Sequence, residues 1–194
     1  FLVPERQKIV AWRNVTVDNY NSIIRKALFQ GQSVEQWLPS ERVILTEPAK
    51  DFLDDGPMLA QTDDEGTIKS VIPCLHPLFG EIRVNCIKVE LDTNRTVDLY
   101  VLDKTYESQF LRRRSELADA AKIDRRKWGK FWEFVESFHS LRHAYAITAH
   151  RSQGSTYEST FVDWRDILLN RNRKEAFQCL YVAATRPKQR LVMG

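Results

Sequence analysis

The feature that most restricts the fold of this chain is a change of texture along it: two segments that alternate apolar runs with helical stripes enclose a long middle stretch of short β-type runs. The opening reads strand, turn, helix. Residues 8–12 form a short apolar run, and Val17, Tyr20, Ile23, Ile24, Ala27 and Leu28 then recur at helical spacing, with Asp18 as candidate cap and Gly31 as candidate stop. From about Glu41 the runs shorten (42–46, 67–72, 82–91 and 96–102) and are divided by turns such as Asp54-Asp55-Gly56-Pro57. That pattern predicts a small antiparallel barrel or meander. Residues 106–121 return to helical spacing, and Trp128, Phe131, Trp132, Val135 and Phe138 make a second amphipathic stripe, which serves as core more often than as a stacking platform. After His139 an apolar run at 144–149, another at 160–164, a helix over 174–184 and a last strand at 190–193 restore an α/β texture. The expected architecture is therefore an α/β unit formed by residues 1–40 and 140–194, interrupted by a β-rich and helical unit at 41–139.

Composition narrows the class. No run approaches the length of a membrane span, so no membrane partner is expected, and the start at Phe1 and end at Gly194 read as the bounds of a piece of a longer chain. Cys74, Cys86 and Cys179 are odd in number and form no C-x-x-C pair, which suggests neither a disulfide framework nor a metal site and fits a cytoplasmic protein. The net charge of +3 conceals segregation: residues 41–103 carry 6 Lys/Arg against 13 Asp/Glu, residues 104–151 carry 11 against 6, and residues 165–194 carry 7 against 2. Basic flanks of this kind suit a polyanion, although a solvated charged face has the same composition.

Two stretches carry candidate chemistry. In Tyr145-Ala-Ile-Thr-Ala-His-Arg-Ser-Gln-Gly-Ser-Thr-Tyr-Glu an apolar strand runs into a polar turn with Gly154 at its tip, where a missing side chain lets backbone approach a ligand. Thr148, His150, Ser152 and Gln153 are then expected at a strand's carboxyl end, where open α/β sheets hold ligands; the competing reading is an ordinary polar loop. In Leu180-Tyr-Val-Ala-Ala-Thr-Arg-Pro-Lys-Gln-Arg-Leu a helix ends in Thr185-Arg186 before Pro187, which disfavours helical geometry at Arg186 and directs its side chain away from the helical face. A guanidinium so placed can stabilise charge on a transferring phosphoryl group, or be a surface arginine. A phosphate-cradling G-x-x-x-x-G-K-[ST] loop is missing: Gly129-Lys130 is followed by Phe131, and position 124 is Asp124. Asp63-Asp64-Glu65 follows no apolar strand suited to magnesium. The chain alone is thus expected to lack ATPase activity.

Taken together, the two stretches resemble motifs V and VI of superfamily 1 DNA helicases of the RecD/Dda type, T-x-H-x-S-Q-G followed by Y-V-A-x-T-R. The opening, with Asn14, Val17, Asp18, Asn21 and Arg25 on recurring positions, is similar to motif IV; the resemblance covers about 95 of 194 residues. It implies a RecA-like motor domain, called 2A and lacking the P-loop, interrupted by a 2B insertion with an SH3-like barrel and helices. Thr148, His150 and Ser152 would contact the DNA backbone, with Asn14 and Thr16 as further DNA candidates. Gln153 and Gly154 would couple DNA to nucleotide, and Arg186 would be the catalytic arginine finger at the γ-phosphate. Pro187, where the family often has Ala or Gly, and the bulky Trp12 and Arg13 depart from the pattern. ATP and Mg2+ are the implied cofactors of the whole protein, with none on this piece alone. Single-stranded DNA and the N-terminal motor domain 1A are the implied partners, with translocation 5′ to 3′. The alternatives are a stand-alone or degenerate single-strand-binding module that stacks bases on Trp128, Phe131 and Trp132, and part of an RNA helicase.

Overall fold

A computed structural model of the chain describes residues 6–29, 36–52 and 56–194; Gly31 and the Asp54-Asp55 half of the expected turn lie outside the described residues. The chain divides into two compact units, residues 1–33 with 143–194 and residues 34–142. The first unit opens with strand β1 (Gln7–Ala11) and helix α1 (Asn14–Leu28). The second contains β2 (Arg42–Leu45), β3 (Ala49–Lys50), β4 (Met58–Ala60), β5 (Glu65–Leu75), β6 (Arg83–Leu91), β7 (Thr96–Leu102), α2 (Glu107–Ile123) and α3 (Trp128–Glu136), and β8 (Leu141–His143) ends it. The first unit then resumes with β9 (Ala146–Thr148), β10 (Tyr157–Val162), α4 (Trp164–Leu168), α5 (Arg173–Ala184) and β11 (Pro187–Met193).

The first unit is a parallel sheet in the order β11-β10-β1-β9. Its central strand pairs on both sides, Val10 lying opposite Val162 and Ile147, and Val10 and Ala11 have no exposed surface. A strand covered on both faces reads as a continuous apolar run, which is why residues 8–12 do not alternate. Val17 and Ile24 bury the inner face of α1. Asn21 between them accepts from the Ala146 amide at 2.7 Å and donates to the Ala146 carbonyl at 3.2 Å, joining the helix to β9 across 125 residues. The helix starts at Asn14, ahead of the cap expected at Asp18. The acceptor that frees it from Asp18 comes from far along the chain: Asp166 takes the Trp12 and Arg13 amides at 2.8 and 2.9 Å, Arg13 Nε at 2.6 Å and the Thr16 hydroxyl at 2.7 Å. A carboxylate at a helix start satisfies amides that the helix leaves unpaired.

The second unit is a five-stranded sheet in the order β7-β6-β5-β2-β8 with antiparallel β2-β5, β5-β6 and β6-β7 ladders. An isolated bridge between Val101 and His139 brings the segment before β8 back to β7, so the two edges of the sheet meet. Val43, Leu45, Ile68, Ile87, Val89 and Leu99 fill the interior. Gly66 is required by close approach: a Cβ there would lie 2.6 Å from the Glu90 carbonyl oxygen. Arg42, 5% exposed, makes two 2.7 Å bonds to Asp92 and one of 3.1 Å to Glu65. Phe110, Phe134 and Phe138 pack α2 and α3 onto Ile82 and Val84. Phe131 joins the buried set and Trp132 is 52% exposed, so the aromatic stripe splits between core and surface. The two-residue β3, the three-residue β4 and β8, and the five-residue α4 were beyond the reach of periodicity, which needs longer windows.

Candidate functional site

Residues 149–156 connect two strands that both run parallel to β1, so this short segment must cross from the carboxyl end of the sheet to its amino end. It begins with the Ala149 amide on the Ala11 carbonyl at 2.8 Å and winds on itself. Ser152 N donates to Thr148 O at 3.0 Å, Gln153 N to His150 O at 3.2 Å and Ser155 N to Ser152 O at 3.2 Å. Gly154 takes φ of +90°, a backbone conformation that side-chain-bearing residues rarely adopt. The segment ends where the Tyr157 amide donates to the Arg186 carbonyl at 3.0 Å. Helix α5 lies alongside it, with Glu175 near His150 at one end and Arg186 near Ser155 at the other.

The predicted site residues therefore separate. Thr148 is the last residue of β9 and, with exposed His150 following it, sits at the carboxyl end, as the sequence indicated. Gln153 and Gly154 are exposed farther along the crossing, toward the amino ends of β10 and β11, because a parallel strand must be entered from that side. Ser152 is fully buried and its hydroxyl donates to Ala149 O at 2.7 Å, so in this conformation it holds the turn rather than facing solvent. Thr148 is 9% exposed, and its hydroxyl accepts from the Arg151 amide at 3.3 Å. Asn14 is exposed at the start of α1, while the Thr16 hydroxyl is committed to Asp166. Ala11 pairs with Thr148, so the start of α1 and the start of the crossing share the carboxyl edge of the sheet.

Arg186 leaves the end of α5 beside the crossing. Its Nε donates to Val182 O at 2.9 Å, Nη1 to Ser155 O at 3.3 Å and Nη2 to the Thr185 hydroxyl at 2.9 Å. All three partners are neutral, and among the described residues no carboxylate pairs with this guanidinium. An uncompensated, half-buried cation with further N–H donors is suited to an anionic ligand such as a phosphate. The guanidinium, the Gln153-Gly154 turn and Ser155 thus form one rim.

Between the crossing and α5 lies a cleft of about 730 Å³ lined by His150, Gln153, Glu175, Gln178, Cys179 and Tyr181. Burial, followed by the charge of Glu175, raises the Cys179 thiol above its ordinary pKa and keeps it a poor nucleophile. Asp166, Glu175 and Cys179 were not singled out from sequence. Glu175 and Cys179 stand one helical turn apart, a signal the sequence holds, but their neighbour His150 precedes them by the crossing turn, β10 and α4 and is found only through the fold.

The first unit thus combines an all-parallel sheet with a crossing turn and, at one rim, an arginine suited to an anion. Residues 143–193 match the family described as UvrD-like helicase C-terminal domain. The crystal structure of Pif1 helicase from Bacteroides in complex with ADP-AlF3 and single-stranded DNA has a TM-score of 0.54 and 13% identity to this chain, covering 100% of it and 41% of that protein. Pif1 helicase from Candida albicans gives a TM-score of 0.52 and 15% identity over 96% of this chain and 44% of that one. An uncharacterized protein of Acanthamoeba polyphaga mimivirus is 23% identical over 229 residues, 94% of this chain and 46% of its own. The chain spans less than half the length of these relatives. The family match is confined to residues 143–193, and the mixed α/β fold is similar to that of these Pif1 helicase structures. Among the described residues, no helix is long and apolar enough to cross a membrane.

Proposed function

We propose that this chain supplies the second motor half of an ATP-dependent helicase that translocates on single-stranded DNA. On this reading residues 1–40 and 140–194 are the RecA-like domain 2A and residues 41–139 the 2B insertion. The meeting of both sheet edges through Val101 and His139 supports an SH3-like barrel for its strands. Thr148 and His150 at the carboxyl edge, with Asn14 beside them, form the nucleic-acid side, and Ser152 and Thr16 shape it through their bonds to Ala149 and Asp166. Gln153 and Gly154 couple that side to the nucleotide. The N-terminal motor domain 1A would hold ATP and Mg2+ and complete the cleft. A Bacteroides Pif1 neighbour is in complex with single-stranded DNA, which supports DNA over RNA as the track, and the RecD/Dda-like motifs support 5′ to 3′ movement.

The observation that carries the proposal is Arg186: a guanidinium tethered to Ser155 of the crossing turn, with no carboxylate to neutralise it among the described residues. ATP supplies the energy and the transferring phosphoryl group when bound across the two halves. Arg186 offers that group fixed donors and a permanent charge, and its bond to Ser155 gives the phosphate end a mechanical link to the turn that grips the strand. In the full-length protein Arg186→Ala should lower steady-state ATP turnover by about 10³-fold or more while leaving single-stranded DNA affinity within a few fold. Near-normal turnover would overturn the finger assignment.

A further inference from the structure

Three side chains in the cleft converge in a way that the helicase reading does not use. His150 Nε2 lies 3.5 Å from Glu175 Oε1 and 3.9 Å from Cys179 Sγ, and the three ligand atoms all fall within 4.8 Å of one another. A tetrahedral zinc with its usual bonds to nitrogen, oxygen and sulfur sets its ligand atoms about 3.3–3.6 Å apart. The His150–Glu175 edge already has that length, and the His150–Cys179 edge is a few tenths of an ångström longer. Cys179 is anchored at 4% exposure, whereas the Glu175 side chain is 39% exposed and already within 3.5 Å of His150. Glu175 and Cys179 project from one face of α5 a turn apart, so the helix presents two ligands in fixed relation and the crossing turn closes on them with the third.

We propose that His150, Glu175 and Cys179 form a three-ligand site for a thiophilic divalent transition metal, Zn2+ or Co2+ in character, that clamps the 149–156 turn to α5. The donor set decides the metal. A thiolate with an imidazole and one carboxylate selects borderline and soft cations and discriminates against Mg2+, which takes oxygen ligands, so the site is separate from any magnesium that accompanies nucleotide. Three protein ligands leave a fourth tetrahedral position facing the cleft, open to water or an exogenous anion. Gln153 and Gln178 line the same cleft and offer amides to a group bound there.

Cobalt makes the site visible. Titrating the 194-residue chain with Co2+ alone should produce intense tetrahedral ligand-field bands and a thiolate-to-cobalt charge-transfer band, both displaced by Zn2+. Cys179→Ser should abolish the charge-transfer band, and Glu175→Gln and the exposed-site variant His150→Ala should each weaken affinity about tenfold or more. The His150→Ala arm keeps the test valid if substitution of buried Cys179 impairs folding. The double variant Cys74→Ser/Cys86→Ser should retain the whole spectrum. Absence of the charge-transfer band, its persistence in His150→Ala at unchanged affinity, or its loss in the Cys74/Cys86 variant would each overturn the site. On the function proposed above the metal would also withdraw His150 from the DNA track. If cobalt binding is intact but zinc leaves DNA affinity unchanged in the full-length protein, the failure falls on the track assignment and not on the metal site.

Discussion

The two units solve the folding problem in opposite ways. The second is contiguous in sequence and its β5-β6-β7 ladders are joined by local turns, with the β2-β8 neighbours as a distant strand pairing. The first is assembled from both ends of the chain. Its sheet places β1 between β9 and β10, more than a hundred residues away, and its side-chain ties span similar distances: Lys8 to the Ala144 carbonyl, Tyr20 to Asp163, Asn21 to Ala146, and Asp166 to the start of α1. Long-range pairing must meet its loop-closure entropy before any contact rewards it. In the first unit polar locks with defined geometry hold the chain ends in register. The candidate site lies on that unit, so its geometry depends on closure of the most distant contacts in the molecule.

The sharpest way to break the comparison is to remove one such lock. Asp166→Ala strips the acceptor from two amides, a hydroxyl and the Arg13 guanidinium at a position 4% exposed, and should cost about 2–3 kcal/mol. Amide exchange should show lost protection in β1, β9 and β10 with protection in β5 and β6 retained. Equal loss in both sheets would mean that the units are not separable in stability. Burial works against the Asp166 charge, but the donors from Arg13, Thr16 and Trp12 outweigh it and hold the pKa below the ordinary aspartate value. Its stabilising contribution is thus present above the unfolded value, near 4, and is lost as pH falls through the folded one.

A smaller effect should mark the second unit. His76 and His139 are buried, and burial lowers both pKa values from the ordinary histidine value. Their rings are pinned as neutral imidazoles. His139 Nδ1 accepts from the Tyr100 amide at 2.9 Å, which leaves Nε2–H to donate to the Lys50 carbonyl at 3.0 Å, and His76 likewise accepts at Nδ1 from the Leu78 and Phe79 amides and faces the Ser137 carbonyl with Nε2. With folded pKa values below the unfolded one, the stability they contribute is complete above about pH 6.5 and declines as pH falls toward the folded values. Urea midpoints followed from pH 7.5 to about pH 5.5 should therefore drop, and His139→Gln should flatten the slope by about half. An unchanged slope would show that the unit tolerates a charged ring there.

Much of this was legible in the residues, and the remainder has identifiable causes. Strongly patterned elements such as α1, β6 and β7 follow from periodicity because one buried face imposes it. The start of α1 was misplaced because its cap acceptor, Asp166, lies 153 residues from Arg13 and no local window contains it. Of the residues expected on display at the carboxyl end, His150 is exposed there, Thr148 lies there with its side chain buried, and Gln153 lies farther along the crossing. The reason is topological: β9 and β10 flank β1 on opposite sides and run the same way, and that arrangement is not written in residues 145–158 themselves. Ser152 illustrates the same limit, since a polar residue in a polar turn gives no sign that its hydroxyl is enclosed. Glu175 and Cys179 acquire their interest only from the placement of His150.

The gentlest test concerns the crossing turn alone. At Gly154 an added Cβ would meet nothing within 4 Å, so any penalty must come from the backbone, held at φ +90°, and not from packing. Gly66 in the second unit is the converse, where the obstacle is the Glu90 carbonyl and the backbone angle plays no part. Gly154→Ala should then destabilise by about 1–2 kcal/mol, and Gly154→Asn by less, since Asn tolerates positive φ better than Ala. Gly66→Ala and Gly66→Asn should follow side-chain volume instead, with Asn the worse of the two. Thermal unfolding of the four variants distinguishes the causes. If Asn at position 154 is as costly as Ala, the turn does not need its left-handed step, and the link from the Gln153-Gly154 tip through Ser155 to Arg186 loses its geometric basis.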